Sequence, residues 1–79
     1  MELLENLDKV HTTEMGVDRI KRNIEVDVDD IVTYCIDKIK QKNALIERRG
    51  KNYYVSVEGI IITVNASSYT IITAHKEKK

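Results

Sequence analysis

Residues 53–75, with the sequence YYVSVEGIIITVNASSYTIITAH, decide the fold, because apolar and polar side chains alternate along most of this stretch. An alternation with a period of two is typical of a β-strand that buries one face. Glu58-Gly59 interrupts the alternation and has the composition of a two-residue hairpin turn, which pairs Val57 with Ile60. A third run follows the small polar break at 66–68, so the stretch predicts a three-stranded antiparallel meander.

A fourth strand is predicted immediately before this stretch, at Ala44 to Arg48. If Arg49-Gly50-Lys51-Asn52 forms the connecting turn, this strand pairs with the one that begins at Tyr53. The pairing then sets Glu47 beside Tyr54 on one face of the sheet. The sheet is therefore predicted to hold four antiparallel strands in the order of the sequence.

Three helical segments are predicted before the sheet. The segment at 2–10 carries one apolar stripe, which is formed by Leu3, Leu4, Leu7 and Val10. Thr12 or Thr13 is a suitable N-cap for a second helix that ends near Asn23. Gly16 weakens this second helix but allows another part of the chain to approach its backbone closely.

The third helix is predicted between Asp27, as its N-cap, and about Lys42. Cys35 lies on its apolar face and is therefore predicted to be a small core residue and not a reactive thiol. Helices gathered on one face of an antiparallel meander define an α+β fold. We expect two to three N-terminal helices packed on one face of the four-stranded sheet.

The chain has 79 residues, the size of one small domain, and its formal net charge is zero because 13 basic residues balance 13 acidic ones. We expect a single domain over 1–79, with helices at about 2–42, the sheet at about 44–75 and a charged tail at 76–79. The one cysteine excludes an intrachain disulfide and favours a cytoplasmic location. The sequence shows no signal peptide and no apolar run of about 20 residues, so no membrane association is expected.

The pairing of the last two strands decides which side chains share the face away from the helices. A three-residue loop at 66–68 pairs Ile62 with Ile72 and Ile60 with Ala74 on the buried face. The opposite, open face then carries Tyr54, Ser56, Ile61, Thr63, Asn65, Tyr69, Ile71, Thr73 and His75. A shift of one residue would invert the assignment of the last strand.

Two interpretations of this open face stay possible. Threonine and tyrosine favour strands in any case, so the face is either an ordinary sheet surface or a shallow site. For a site, the candidate catalytic residues are an acid and alternative bases, namely His75, Glu47 and His11. Two groups of residues are candidates for substrate binding. The positively charged side chains could hold a phosphate, namely Arg48, Arg49 and Lys51. Three others could position or stack the substrate, namely Tyr54, Tyr69 and Thr73. The alternatives are a frayed strand end for His75 and a solvated turn for the basic run at 48–51.

Nothing in the sequence predicts a cofactor or a metal ion. It has no Walker loop, no dinucleotide-binding fingerprint and no nucleophile elbow. Two histidines without a supporting cysteine or a His-x-x-x-His spacing do not predict a metal site.

Three stretches resemble a known family: HTTEMGVDRIKRN at 11–23, RGKNYYV at 49–55 and ITVNASSYTIITAH at 62–75. On these stretches the chain is similar to a small bacterial family that is known only as domain of unknown function 3781. The resemblance extends over nearly the whole chain. It implies no established activity.

A looser resemblance, at the level of the fold, is to the barnase, colicin and RelE group of small ribonucleases. These place helices before a four-stranded antiparallel sheet and cleave RNA on its open face without a metal. The resemblance implies RNA as a partner and attack of a ribose 2′-hydroxyl on its own phosphate. Glu47 or His11 would be the base and His75 the acid. RelE-like toxins are usually strongly basic, whereas this chain is neutral, and RNA affinity depends on phosphate contacts.

The other hypothesis is a non-enzymatic interaction module or a small regulator of a larger partner. A protein-binding or self-association surface would then be formed by Tyr54, Ile61, Tyr69 and Ile71. Tyrosine is favoured at such surfaces, and a domain with a thin core gains stability from dimerisation. The hypotheses predict different mutants, because His75→Ala abolishes cleavage only in the first and Ile61→Asp loses a partner only in the second.

Overall fold

The computed structural model describes residues 2–77. The helical part consists of a short helix α1 at Glu2–Glu5, a 3₁₀ turn at Leu7–Lys9, and helices α2 at Glu14–Ile24 and α3 at Ile31–Ile39. The strands are β1 at Leu45–Arg49, β2 at Asn52–Val57, β3 at Ile60–Asn65 and β4 at Ile71–Lys76. All neighbouring strands are antiparallel, in the order β1-β2-β3-β4. The predicted α+β fold, with N-terminal helices and a four-stranded meander, is confirmed.

The hairpin of β2 and β3 has the predicted register, with Val57 opposite Ile60. Its turn residues have φ angles of 48° at Glu58 and 80° at Gly59, both in the left-handed region that a type I′ turn requires. Glycine adopts this region freely, whereas Glu58 does so at a cost. The carboxylate of Glu58 accepts a hydrogen bond from Lys38 Nζ at 2.5 Å, which anchors the turn to α3.

The hairpin of β1 and β2 closes through the two-residue turn Gly50-Lys51, where the sequence predicted a turn of four residues. The turn is tighter because Arg49 and Asn52 already form a pair of the ladder. The strands nevertheless close in the predicted register, so Glu47 lies opposite Tyr54.

The register of β4 differs from the prediction. Ile62 pairs with Ala74 and not with Ile72, and a β-bulge further along sets Ile71 opposite Val64. Ile72 is the extra residue of the bulge and is 40% exposed, whereas Ile71 is buried. The predicted faces of these two isoleucines are therefore wrong.

The connection between β3 and β4 is longer than predicted, and the N-terminal segment holds it in place. Tyr69 has a φ of 58° and donates its N–H to the carbonyl of Asn65 at 2.9 Å. His11 forms a parallel bridge with Thr70: it donates its N–H to the Tyr69 carbonyl at 3.1 Å and accepts from the Ile71 N–H at 2.7 Å. Tyr69 packs against the core, so its predicted place on the open face is also wrong.

The hydrophobic core lies between the helices and one face of the sheet. Its buried side chains are Leu3, Val10, Ile20, Ile24, Ile31, Cys35, Ile39, Tyr53, Val55, Val57, Ile60, Ile62, Val64, Ile71 and Ala74. Cys35 is a core residue as predicted, and burial raises the pKa of its thiol to about 12. The thiol is therefore protonated and unreactive near neutral pH.

The segment at 2–10 does not form the single helix that was predicted. Asn6 ends α1, because its side-chain Nδ2 donates to the carbonyl of Glu2 at 2.8 Å and competes with the helical pattern. A 3₁₀ turn at Leu7–Lys9 follows, so the predicted apolar stripe does not continue along one helical face. Leu3 and Val10 are buried, whereas Leu4 is 46% exposed.

Helix α2 begins where the sequence predicts. Thr13 is its N-cap, and the Oγ1 atom of Thr13 accepts the N–H of Gly16 at 3.0 Å. A β-carbon at Gly16 would overlap the hydroxyl of Thr12. That hydroxyl donates to the carbonyl of Ile71 at 2.9 Å, so the glycine leaves room for a contact between α2 and β4.

Helix α3 begins later than predicted, because its N-cap is Asp30 and not Asp27. The carboxylate of Asp30 accepts the backbone N–H of Thr33 at 3.0 Å and its hydroxyl at 2.7 Å. The backbone bond first, and then the hydroxyl bond, lower the pKa of the Asp30 carboxyl from its usual value. The helix ends at Ile39, so Lys42 lies outside it.

The predicted charged tail begins inside the sheet, because Lys76 is the last residue of β4. Lys78 and Lys79 lie outside the described residues. None of the helices between residues 2 and 77 combines the length and the apolar character needed to cross a bilayer.

Candidate functional site

The open face of the sheet, away from the helices, brings together four of the predicted site residues: Glu47, Arg49, Tyr54 and His75. Strand pairing sets one row across the sheet, consisting of Leu45, Ser56, Ile61 and His75. The next row consists of Glu47, Tyr54, Thr63 and Thr73. A shallow concavity of about 500 Å³ is lined by Leu45, Ile46, Glu47, Arg49, Tyr54, Ser56, Ile61 and His75.

Three of these side chains contact one another. Arg49 Nε lies 3.1 Å from Glu47 Oε1, and the Arg49 guanidinium lies 4.9 Å from the centre of the Tyr54 ring. Glu47 and Arg49 meet because residues two apart on a strand point to the same face. The carboxylate compensates the guanidinium, so this part of the open face has no excess positive charge.

Glu47 and His75, the predicted base and acid, line the same concavity from opposite sides. Glu47 belongs to β1 and His75 to β4, which are the two edges of the meander. Three inter-strand spacings separate their backbones by roughly 14 Å. No hydrogen bond joins the two side chains in the described part of the chain. They are therefore not assembled as a hydrogen-bonded catalytic pair.

His11, the alternative base, is not part of the open face. Its Nδ1 donates to the carbonyl of Lys9 at 2.8 Å, since a carbonyl can only accept, and its Nε2 lies 3.0 Å from the hydroxyl of Thr70. Five residues separate Thr70 from His75, which corresponds to roughly 16 Å along a strand. The two histidines do not meet. Within residues 2–77, no three His, Cys, Asp or Glu side chains gather as a candidate metal site.

Of the three basic residues predicted to hold phosphate, only Arg49 lines the concavity. Arg48 lies on the helix side, with its guanidinium 5.5 Å from the centre of the Tyr53 ring. Its Nε donates to the carbonyl of Gly50 at 2.9 Å. Lys51 is exposed in the turn between β1 and β2. The basic run is therefore divided between two faces of the sheet and a turn.

The two remaining predicted site residues also lie outside the concavity. Tyr69 is in the connection before β4, where Lys9 Nζ lies 6.0 Å from the centre of its ring. Thr73 has the predicted face but is half-buried, and its hydroxyl accepts a hydrogen bond from Asn23 Nδ2 at 3.3 Å. Thr73 thus links α2 to the β4 edge and does not line the concavity.

The comparison with known families agrees with the resemblance of the three sequence stretches. Residues 4–75 match the family model described as protein of unknown function (DUF3781). The chain belongs to this family. No curated protein and no solved structure matches it. The looser resemblance to the barnase, colicin and RelE ribonucleases is therefore not supported.

Two lining residues of this concavity, Leu45 and Ile46, were missed in the sequence analysis. Leu45 is 73% exposed and lies on the open face opposite Ser56. Its spacing of two residues from Glu47 places it on the same face and would have identified it. With Leu45 included, the concavity has apolar walls and a polar rim, and its charged side chains lie mainly on the β1 side.

Proposed function

We propose that this domain is a non-enzymatic protein-interaction module whose open face binds an apolar side chain of a protein partner. The supporting observation is the concavity of about 500 Å³, in which Leu45, Tyr54 and Ile61 are accessible together. An apolar patch with a polar rim is typical of protein-binding surfaces. Glu47, Arg49 and His75, which lie on the two edge strands, supply that rim.

The charges of the open face favour a protein segment over a nucleic acid. RNA affinity depends largely on basic side chains that neutralise phosphates. Arg49 already forms an ion pair with Glu47, and Arg48 lies on the other face of the sheet. The whole chain is also neutral. An apolar side chain of a protein partner should therefore bind this face more favourably than a phosphodiester backbone would.

Binding and cleavage of RNA is the competing function, and the geometry supports it less. General acid–base cleavage needs two proton-transfer groups within hydrogen-bonding reach of one reacting phosphate. Glu47 and His75 belong to opposite edges of the sheet. If RNA cleavage is observed in the assay below, it replaces the proposed function.

A peptide-display selection against the folded protein tests the proposal. Selected peptides are synthesised and titrated into isotope-labelled protein, and the perturbed NMR resonances are mapped on the fold. We expect peptides with a large apolar anchor to perturb Leu45, Tyr54 and Ile61. Ile61→Asp should weaken binding at least about tenfold, because the anchor would then desolvate a carboxylate without a partner. The matched control is Ile72→Asp, at an exposed isoleucine outside the concavity, which should leave binding unchanged.

The same preparation is titrated with a fluorescently labelled single-stranded RNA at low ionic strength, where phosphate contacts are strongest. We expect neither binding nor cleavage. If the wild-type protein cleaves the RNA and His75→Ala does not, the domain is a ribonuclease and the proposal is wrong. Perturbed resonances that map away from the open face would also contradict it.

A further inference from the structure

The outer edge of β1 presents backbone groups that nothing in the described chain covers. The turn Gly50-Lys51 has two residues, so the flanking pair of Arg49 and Asn52 is a hydrogen-bonded pair. Bonded and non-bonded pairs then alternate, and β1 bonds to β2 through residues 45, 47 and 49. The N–H and C=O groups of Ile46 and Arg48 consequently point outward. No backbone hydrogen bond reaches them within residues 2–77.

We infer that β1 pairs antiparallel with β1 of a second copy of this chain, about a two-fold axis at Glu47. Two four-stranded sheets would thereby join into one continuous sheet. The inference goes beyond the proposed function, because it names a second copy of the chain as a partner and the β1 edge, not the concavity, as the contact.

The hydrogen-bonding phase fits this axis. Antiparallel pairing about Glu47 sets Ile46 opposite the second copy's Arg48, and the reverse pair follows by symmetry. These are the two residues whose backbone groups point outward. Each of the two pairs exchanges two hydrogen bonds, so all the free groups of Ile46 and Arg48 are satisfied together.

The charges also fit a second copy. Glu47 already contacts its own Arg49 at 3.1 Å, and the second copy's Arg49 lies diagonally across the axis on the same face. Two carboxylates and two guanidinium groups therefore surround the axis, which compensates the approach of the two Glu47 side chains. Leu45 lies opposite the aliphatic stem of the second copy's Arg49. Since the chain has no net charge, two copies do not repel each other at long range.

The two neighbouring registers use less of β1. An axis at Arg48 sets Glu47 opposite the second copy's Arg49, but it also sets Arg48 opposite itself and leaves Leu45 opposite the turn residue Lys51, outside the strand. An axis at Ile46 sets Leu45 opposite Glu47 and leaves Arg49 outside the ladder. The axis at Glu47 alone uses all of Leu45–Arg49 in both copies.

Sedimentation velocity over a range of protein concentrations tests the inference on the full chain. Arg48→Pro removes an outward N–H, and proline is tolerated there because that N–H takes no part in the ladder with β2. The matched control Arg48→Ala removes the same side chain and keeps the N–H. We expect a reversible dimer for wild type and Arg48→Ala. The dimer dissociation constant of Arg48→Pro should be at least about tenfold higher. Equal dimerisation of the two variants, or a wild-type monomer up to about 1 mM, overturns the inference.

Cysteine crosslinking tests the register and does not depend on a proline variant that folds. Glu47→Cys places two thiols at a non-hydrogen-bonded pair, with Cα atoms about 4.5 Å apart, which suits a disulfide. In Arg49→Cys the two thiols would be separated by roughly 13 Å along the strands. Under mild oxidation we expect a covalent dimer of Glu47→Cys and little of Arg49→Cys. Cys35 does not interfere, because it is buried. Equal crosslinking of the two variants overturns the inference.

The failure of this inference can be distinguished from the failure of the proposed function. If Ile61→Asp dissociates the dimer and Arg48→Pro does not, two copies meet through the open face; the edge pairing is then wrong and the interaction function stands. If Arg48→Pro dissociates the dimer but no selected peptide maps to the concavity, the edge pairing stands and open-face binding is wrong.

Discussion

The two edges of the sheet are constructed in opposite ways. The beginning of the β4 edge is covered by the N-terminal segment, through the bridge of His11 with Thr70 and the hydrogen bond from the Thr12 hydroxyl to the Ile71 carbonyl at 2.9 Å. Helix α2 packs beside the same strand, with Asn23 bonded to Thr73. The β1 edge has no comparable cover in the described residues, and four of its five residues are exposed.

The contrast shows that the two edges of one small sheet can be protected by different means. A strand edge with free backbone groups is a template for another chain, and natural proteins cover it, charge it or pair it. Within residues 2–77, the structure before the sheet packs against the β4 edge and leaves the β1 edge open. The other edge carries Glu47, Arg48 and Arg49, whose charges oppose unspecific pairing but are compatible with one self-complementary register.

The strongest way to test the contrast is to truncate one apolar residue at each edge. Ile71→Ala, on the covered edge, removes a buried side chain and should lower the free energy of unfolding by about 2–5 kcal/mol. Leu45→Ala, on the free edge, should change it by no more than about 0.5 kcal/mol. Chemical denaturation at a concentration where the protein is monomeric measures both.

The control for this pair is Ile72→Ala, next to Ile71 but 40% exposed in the bulge. We expect it to resemble Leu45→Ala more than Ile71→Ala. If Ile72→Ala destabilises the protein more than Ile71→Ala does, the face assignment of β4 is wrong.

The contact between Gly16 and Thr12 allows a double-mutant cycle on the covered edge. In Gly16→Ala the new β-carbon displaces the Thr12 hydroxyl from the carbonyl of Ile71. The loss should exceed the gain in helix propensity and lower the free energy of unfolding by about 1 kcal/mol. In the Thr12→Ala background the same change should cost less, because only the Thr13 hydroxyl, 3.2 Å from the new β-carbon, must then shift. Additive effects of the two changes would show that this contact does not hold α2 on β4.

The sequence predicts the first three strands well because turn type and period specify the same register. At Glu58-Gly59 the turn residues and the flanking alternation agree, and the predicted pairs occur in the structure. The adjacent isoleucines Ile71 and Ile72 carry no such information, since a bulge can bury either one. His11 decides between them through a contact with Thr70, 59 residues away in sequence, which no local pattern contains.

The sequence also predicts which candidate site residues share a face of the sheet. Strand parity places Glu47, Tyr54 and His75 on one face, and the structure agrees. The wide separation of Glu47 from His75 also follows from sequence order, because the first and last strands of a meander are its two edges. Arg48 was assigned with its neighbour Arg49, although consecutive residues of a strand point to opposite faces.

A smaller effect should distinguish the cap of α2 from that of α3. Thr13→Ala removes the acceptor for the Gly16 N–H and should lower the free energy of unfolding by about 1 kcal/mol. Because α2 covers β4, the amide of Ile71 should exchange its hydrogen faster in this variant. Asp30→Ala is the matched control, since it removes the cap of α3 and should cost about as much. Equal acceleration at Ile71 in both variants would argue against a local role of α2.

The smallest expected effect concerns the ion pair between Glu25, at the C-terminal end of α2, and Lys76 of β4. The hydrogen bond from Lys76 and its charge lower the pKa of the Glu25 carboxyl from its usual value of 4.5. A carboxyl with a lower pKa in the folded state stabilises the fold above its unfolded pKa, and this contribution disappears as the pH falls through the folded value. Wild type should therefore be slightly more stable than Glu25→Gln near pH 7, with the difference vanishing in acid and shrinking in high salt. The comparison cancels the titration of Asp30, which both proteins share. A difference that persists in acid would mean that Glu25 holds α2 on the edge by its shape and not by its charge.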